Sequence, residues 1–155
     1  MDAEFMQIAI ALSIENVRSG RGGPFGAVIA KGREIIATGA NQVTSANDPT
    51  AHAEIVAIRA ACQKLQDFQL SGCDLYTSCE PCPMCLGAIY WARPDQVYYA
   101  SSREDAASAG FDDEFIYSQI TLPVDRRKIP MRQALQQEAE AAFRAWEEML
   151  HKIRY

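Results

Sequence analysis

The sequence SCEPCPMC at residues 78–85, together with HAE at residues 52–54, determines the organisation of this chain. The first segment contains a C-x-x-C pair, Cys82 and Cys85, and His52 lies thirty positions before Cys82. Two thiolates and one imidazole form a ligand set that suits zinc, and three protein ligands leave the fourth tetrahedral position open for water. The sequence therefore predicts one zinc ion per subunit, held by His52, Cys82 and Cys85 in a site of the catalytic type.

Glu54 follows His52 by two positions, which places a carboxylate beside the predicted metal without making it a ligand. Such a carboxylate can take a proton from water and return it to a leaving group. The alternatives are an exposed helix glutamate and a structural zinc or redox pair at the cysteines. Cys79 extends the cysteine run to C-x-x-C-x-x-C, which is similar to part of a ferredoxin motif, but the fourth cysteine of that motif is missing. We interpret Cys79 as a buried thiol near the metal.

Both metal segments are predicted to begin a helix. The Asp-Pro pair at residues 48–49 is a typical helix start, so a helix over residues 50–65 would hold His52 in its first turn. Pro83 suits the first position of the next helix, which makes Cys82 its cap. Backbone N–H groups and the positive end of the helix dipole favour a thiolate there. The pattern therefore predicts two helix starts directed at one metal.

Strands and helices alternate through the first two thirds of the chain. Up to residue 100 the predicted elements are a helix over 2–19, a hairpin of strands at 27–30 and 34–38, a helix over 50–65, a strand at 74–77, a helix over 83–93 and a strand at 96–100. Beyond it they are a helix over 114–120, an edge strand near 128–132 and a long helix over 135–153. This alternation is typical of an α/β sandwich around one sheet.

Length and composition limit the classes of protein to which this chain can belong. With 155 residues, 48% of them apolar and 23% charged, the chain is long enough for one globular domain. A net charge of −5 disfavours a nucleic-acid partner, because phosphate-binding surfaces depend on clustered lysine and arginine. No apolar run reaches membrane-spanning length, and the first residues do not read as a signal peptide. Five cysteines, an odd number, favour metal binding or free thiols, so we expect a cytoplasmic location.

Two residues are candidate substrate contacts: Phe25, in the glycine-rich loop GRGGPFG at residues 20–26, and Asn41, in the loop between the second strand and the metal helix. The glycine-rich loop lacks the G-x-G-x-x-G spacing of a phosphate cradle, so we expect its glycines to allow a close backbone approach instead. Phe25 is interpreted either as a core residue or as a ring that stacks on a flat substrate. Asn41 is either a simple turn residue or a substrate contact.

The combination of H-x-E with P-C-x-x-C resembles the signature of the cytidine/deoxycytidylate deaminase superfamily. This resemblance implies a three-layer α/β/α sandwich around a mixed five-stranded sheet, the cytidine deaminase-like fold. It also implies that Glu54 moves a proton from water to the leaving amine, and that Asn41 hydrogen-bonds the substrate base. The non-enzymatic alternative is a zinc-stabilised interaction domain, and Glu54 argues against it because a structural site needs no proton shuttle.

A narrower resemblance covers the chain nearly from end to end. GGPFGAVI, SANDPTAHAEIVAIR and LYTSCEPCPMCLGAIYWARP are similar both to the short bacterial guanine deaminases and to bacterial tRNA adenosine deaminases. AGFDDEFIY at residues 109–117 and the terminal Tyr155 are similar to the guanine deaminases. That family implies a small purine substrate, with Asp113 as a substrate-binding or proton-transfer acid. Guanine presents two adjacent N–H donors that one carboxylate can accept, although helix capping is the simpler interpretation of Asp112 and Asp113.

In the guanine deaminases the C-terminal segment crosses to a partner subunit, and the terminal tyrosine helps to close the pocket. The resemblance thus implies a homodimer of one zinc deaminase domain, residues 1–155, whose residues 135–155 are swapped and whose Tyr155 contacts substrate. The alternatives are a tRNA adenosine deaminase and a deaminase of cytosine, a pterin or another aminated heterocycle. The only dense basic cluster, at residues 126–128, is a poor surface for RNA.

Overall fold

A mixed sheet of four strands lies at the centre of the first part of the chain. The computed structural model describes residues 1–155 and divides into two units, Met1–Asp113 and Glu114–Tyr155. The strands of the first unit are β1 (Gly26–Lys31), β2 (Glu34–Ala40), β3 (Asp74–Cys79) and β4 (Gln96–Ser101). Their order is β2-β1-β3-β4; β1 is antiparallel to both of its neighbours, and β4 is parallel to β3. The predicted hairpin is therefore β1–β2.

Helices cover both faces of this sheet. The helices of the first unit are α1 (Ala3–Arg18), α2 (Val43–Ala46), α3 (Ala53–Leu65), α4 (Pro83–Ala92) and α5 (Arg103–Ser108). Neighbouring residues of β1 point to opposite faces, as the pleat requires. Ile29 packs in a cluster with Ala57 of α3 and Ile89 of α4, whereas Val28 packs in a cluster with Phe5 of α1. The α/β sandwich with three layers is confirmed.

Two glycines bring helices unusually close to the sheet. A Cβ atom on Gly26 of β1 would collide with the carbonyl oxygen of Ala9 in α1. A Cβ atom on Gly39 of β2 would collide with the carbonyl oxygen of Ala53, the first residue of α3. Backbone therefore lies against backbone at both places, and the start of α3 is fixed relative to β2.

The observed helix starts agree in part with those predicted from the sequence. Asp2 caps α1 by accepting a hydrogen bond from the backbone N–H of Glu4, and Cys82 precedes Pro83 at the start of α4. The predicted start of the third helix is wrong, since α3 begins at Ala53. The Asp48 carboxylate instead accepts two hydrogen bonds from Thr50, which closes a turn ahead of the helix. The short helices α2 and α5 were not predicted, because four and six residues are too few to show a helical period.

The second unit is helical. It consists of α6 (Glu114–Ile120), a 3-10 turn (Val124–Arg126) and α7 (Gln136–Glu148). The predicted fifth strand at residues 128–132 is wrong: Pro130 has no N–H to donate to a ladder, and the Lys128 N–H donates to the side chain of Gln119 instead. The long final helix is present but shorter than predicted. No helix of the chain is both long and apolar enough to cross a bilayer.

Candidate active site

Three potential metal ligands meet where α3 and α4 begin. Nδ1 of His52 lies 3.5 Å from Sγ of Cys82 and 3.5 Å from Sγ of Cys85. The ligand atoms of the three residues all lie within 4.8 Å of one another. A tetrahedral zinc ion, about 2.1 Å from nitrogen and about 2.3 Å from sulfur, would separate the nitrogen from each sulfur by about 3.6 Å. The three residues singled out by the sequence therefore fit a zinc ion.

The helix starts explain why these side chains converge. His52 and Cys82 are the residues immediately before α3 and α4, each with extended backbone, and Cys85 lies in the first turn of α4. The positive ends of both helix dipoles therefore lie beside the ligands, where they favour anionic thiolates. Cys79 lies outside this group. It is the last residue of β3 and is buried, and its thiol donates to the carbonyl oxygen of Ser102 at 3.5 Å.

The two cysteines of the C-x-x-C pair share one proton between them. A hydrogen bond from Cys85 lowers the pKa of the Cys82 thiol to about 4, and the same hydrogen bond raises the pKa of Cys85. Hydrogen bonding to Cys82 raises the pKa of His52. The hydrogen bond to Cys85 and the nearby His52 thus favour the thiolate form of Cys82. A bound zinc ion would also deprotonate Cys85, because coordination favours the anionic form of a thiol.

Glu54 points into the interior beside these ligands. Its side chain is 6% exposed although glutamate is normally a surface residue, and it shares a hydrogen bond with the Cys85 thiol. Burial raises the pKa of its carboxyl group. A buried carboxyl group of raised pKa, next to a metal site, has the property that a proton shuttle requires. The interpretation of Glu54 as an exposed helix residue is therefore wrong.

Asn41 is buried in the loop that follows β2. Its Oδ1 accepts a hydrogen bond from the Val43 N–H at 3.2 Å. Because a donor faces Oδ1, the amide orientation is defined, and its Nδ2 group remains available to donate. The backbone N–H of Asn41 donates to the carbonyl oxygen of Phe25 at 3.1 Å, which continues the pairing of β1 with β2. The hydrogen bond from the N–H two positions later is the contact that a turn asparagine makes, and the predicted contact of Asn41 with substrate stays a prediction.

Phe25 takes part in packing. It contacts the apolar cluster on the face of the sheet covered by α3 and α4. Its ring meets that of Phe111 edge to face, with centroids 5.0 Å apart, and both rings line a cavity of about 310 Å³ that also includes Cys79. Phe25 therefore anchors Phe111, whose chain leads to Asp113 two positions later. Its predicted stacking on substrate stays a prediction.

Asp113 ends the first unit and lies on an arm that follows β4. The arm begins at Ser102, which forms a capping box with Asp105 at the start of α5. The Glu80 carboxylate, in the metal-binding loop, accepts a hydrogen bond from the Arg103 N–H at 3.2 Å. Burial raises the pKa of Asp113, the nearby Arg103 guanidinium opposes this, and the Cys82 thiolate adds to it. The predicted role of Asp113 at the substrate stays a prediction.

Sequence reasoning missed several residues that support the site. Asn16 in α1 and Ser78 in β3 are both buried polar residues that hydrogen-bond the segments around the ligands. No motif marks Asn16, and Ser78 shows no role within the cysteine segment because its partner, the Gly26 N–H, lies 52 positions away. Tyr155 belongs to the second unit and is exposed. Its predicted contact with substrate stays a prediction.

A zinc site with three protein ligands and a buried glutamate, placed at two helix starts of an α/β sandwich, defines the class of zinc-dependent deaminases. Residues 1–101 match the family model of the cytidine and deoxycytidylate deaminase zinc-binding region. The chain belongs to this family, and zinc is its cofactor.

Individual relatives narrow the comparison. The chain is 56% identical to the guanine deaminase of Bacillus subtilis (strain 168) over 151 residues, which covers 97% of both chains. The X-ray structure of guanine deaminase from Bacillus subtilis superimposes with a TM-score of 0.96 over 100% of this chain and 99% of that one. The tRNA-specific adenosine deaminase of Aquifex aeolicus is 45% identical over 78 residues, only 50% of this chain and 52% of the relative.

Proposed function

We propose that this chain is a zinc-dependent guanine deaminase, which hydrolyses guanine to xanthine and ammonia. The observation that carries this assignment is the likeness to the Bacillus subtilis guanine deaminase over 97% of both chains. This likeness extends beyond residue 101, where the match to the family model ends, and therefore includes the arm that carries Asp113. The likeness to the tRNA deaminase covers about half of the chain.

The residues of the site have separate roles in this reaction. Zinc, when bound, supplies a Lewis acid that lowers the pKa of water toward neutrality. Glu54 accepts one proton from the attacking water and delivers it to a ring nitrogen as the C–O bond forms. It then accepts the proton of the added hydroxyl group and delivers it to the amine, which leaves as ammonia when the C–N bond breaks. The burial of Glu54 supports this role, because a raised pKa makes its carboxylate a better acceptor for the proton of water and brings its two protonation states closer in free energy near neutral pH.

Two further residues would hold the base. The free Nδ2 group of Asn41 donates to an acceptor on guanine, and this role is supported by the fixed orientation of its Oδ1. The Asp113 carboxylate accepts from the two adjacent donors of guanine, the ring N–H and the exocyclic amine on the same edge. Adenine lacks that pair of donors, so Asp113 would select guanine over adenine.

The direct experiment measures ammonia release by the zinc-loaded protein from guanine, adenine, cytosine and a tRNA anticodon stem-loop. We expect turnover of guanine alone. Turnover of the stem-loop alone would overturn the assignment of substrate while leaving the metal site intact. A net charge of −5 already disfavours a polyanionic substrate.

We further propose that the enzyme is a homodimer in which residues 135–155 are swapped between two copies of one domain, 1–155. No residue of Glu114–Tyr155 is buried. Phe143 and Trp146 in α7 are 71% and 40% exposed, and Leu150 is 92% exposed. Apolar surface of this extent is costly to leave in water, and a second copy of the chain would cover it. Light scattering should then give twice the mass of the chain, and Trp146→Glu should reduce that mass, whereas Gln137→Glu on the same helix should not.

A complementation experiment tests whether Tyr155 acts across the subunits. One variant carries Glu54→Ala, and the other lacks Tyr155. If the tail is swapped, a mixed dimer contains one site with an intact Glu54 and a Tyr155 from its partner. Mixing two weakly active variants by unfolding and refolding would then restore activity. If each tail serves its own subunit, both sites stay defective and activity does not return.

The proposed location is the cytoplasm. All five cysteines are free. Free thiols and a thiolate-bound metal persist in a reducing compartment. Fractionation of the native host with a cytoplasmic marker tests this location.

A further inference from the structure

Asn16 is a buried polar residue whose side chain joins two segments next to the proposed substrate site. It lies on α1, away from the metal ligands in sequence, and is 2% exposed. Its Nδ2 group donates one hydrogen bond to the carbonyl oxygen of Gly23 at 2.9 Å and a second to that of Asn41 at 2.8 Å. Both hydrogens of the amide are therefore used, one on the glycine loop and one on the loop after β2.

The surroundings of Asn16 leave it little freedom to make other contacts. Helix α1 is held against β1 at Gly26, where backbone meets backbone, and Asn16 lies one helical turn beyond Ser13 at that contact. A Cβ atom on Gly22 would collide with the carbonyl oxygen of Asn41 and would lie 2.9 Å from Nδ2 of Asn16. The glycine in the loop is therefore needed for Asn16 to reach Asn41.

We infer that Asn16 is a positioning residue for substrate binding, which fixes Asn41 so that its free amide group meets the purine. Asn41 is held at three points: Asn16 binds its carbonyl oxygen, Phe25 binds its N–H, and Val43 binds its Oδ1. Of these three, only Asn16 contributes a side chain, so the sequence at position 16 controls the placement. This inference rests on the proposed role of Asn41 in binding guanine.

The test is a double-mutant cycle on KM and kcat with guanine as substrate. Asn41→Ala removes the proposed contact, and Asn16→Ala removes its support. We expect each single variant to raise KM about tenfold while kcat changes less than about threefold, because a contact made equally in ground and transition states affects KM alone. In the Asn41→Ala background, Asn16→Ala should have no further effect on KM, since it acts through Asn41.

Gln7→Ala, an exposed amide on the same helix, is the matched control and should leave KM and kcat unchanged. Zinc content and the thermal midpoint are measured for every variant, so that loss of fold is separated from loss of placement. If Asn16→Ala does not fold, Gly22→Ala takes its place in the cycle, because its new Cβ atom displaces the same Asn41 carbonyl group.

The outcomes separate this inference from the function on which it rests. If the wild type releases no ammonia from guanine, the assignment of function fails. If Asn41→Ala leaves KM unchanged, the role of Asn41 fails. If Asn41→Ala raises KM but Asn16→Ala does not, or if the two effects add in the double variant, the inference about Asn16 is wrong while the function stands.

Discussion

His52 and Cys82 occupy the same structural position on two different helices: each is the last residue before a helix begins, and their Nδ1 and Sγ atoms lie 3.5 Å apart. The chain thus directs two helix starts to one point. The third ligand, Cys85, follows from the first turn of α4. This arrangement leaves Glu54, in the first turn of α3, beside the metal ligands but not among them.

Glu54→Gln should remove activity and keep the metal. The amide preserves the volume of a buried side chain but cannot accept a proton from water. We expect kcat to fall by about 10² to 10⁴. The zinc content of this variant, measured by elemental mass spectrometry, should remain at one ion per chain. The control is Glu15→Gln, at an exposed glutamate of α1, which should behave as wild type. Normal turnover by Glu54→Gln would show that another group moves the proton.

Removal of zinc by a chelator should abolish activity and make Cys82 the most reactive thiol. In the metal-free protein a hydrogen bond from Cys85 lowers the pKa of Cys82 and favours its thiolate, whereas burial raises the pKa of Cys79 to about 11. Alkylation followed by peptide mass spectrometry should label Cys82 first. Addition of zinc before the reagent should protect it. Preferential labelling of Cys79 would contradict this order.

Asp113→Asn should lower kcat/KM for guanine by about tenfold or more, because the amide replaces one of the two acceptor oxygens with an N–H donor, which cannot bind a second donor of guanine. The ratio of wild-type to variant kcat/KM should depend on pH. Burial raises the pKa of Asp113, so as pH falls through that raised value the wild type loses its carboxylate, and the ratio should decrease toward one. The titration of Glu54 affects both proteins equally and cancels in the ratio.

The neighbouring aspartate provides the comparison for that experiment. If Asp113 contacts the base, the ratio of wild-type to Asp112→Asn kcat/KM should be close to one and should not change with pH. The opposite result, a pH-dependent loss in Asp112→Asn alone, would move the substrate contact to Asp112. Full pH profiles of kcat/KM for the three proteins decide between the two residues.

Gly39→Ala should destabilise the protein and reduce its zinc content together. The added Cβ atom would collide with the carbonyl oxygen of Ala53, and both groups are backbone or fixed to it, so α3 must shift away from β2. Overpacking of this kind costs about 1–3 kcal/mol in the free energy of unfolding. Gly87→Ala in α4 is the control, because a Cβ atom there meets nothing within 4 Å. Chemical denaturation measures the first effect, and metal analysis the second.

The metal ligands could be predicted from sequence because their geometry is local. Each ligand segment begins a helix, and the spacing of residues along one helix start fixes which side chains point to the metal. The order of the alternating strands and helices along the chain could be predicted for the same reason. Prediction of α3 from Asp48-Pro49 failed because two elements compete for the same capping signal, and Asp48 closes a turn with Thr50 before the helix can begin.

The roles of the supporting residues could not be predicted from the sequence, since they depend on contacts between distant segments. Asn16 and Asn41 are separated by 25 residues and meet only because α1 packs on β1 at Gly26. A fifth, edge strand was predicted near residues 128–132. An edge strand requires a partner strand for its backbone, whereas the Lys128 N–H donates to the side chain of Gln119 within the same unit.

The placement of His52 and Cys82 also has a consequence for heat resistance. A zinc ion that joins them closes a loop of thirty residues, and a crosslink of that length reduces the entropy of the unfolded chain by an amount worth on the order of 3 kcal/mol at 25 °C. A bound zinc ion would therefore crosslink the starts of the two helices and also serve as the cofactor of the active site. Removal of zinc is therefore expected to lower the free energy of unfolding of the protein as well as its activity.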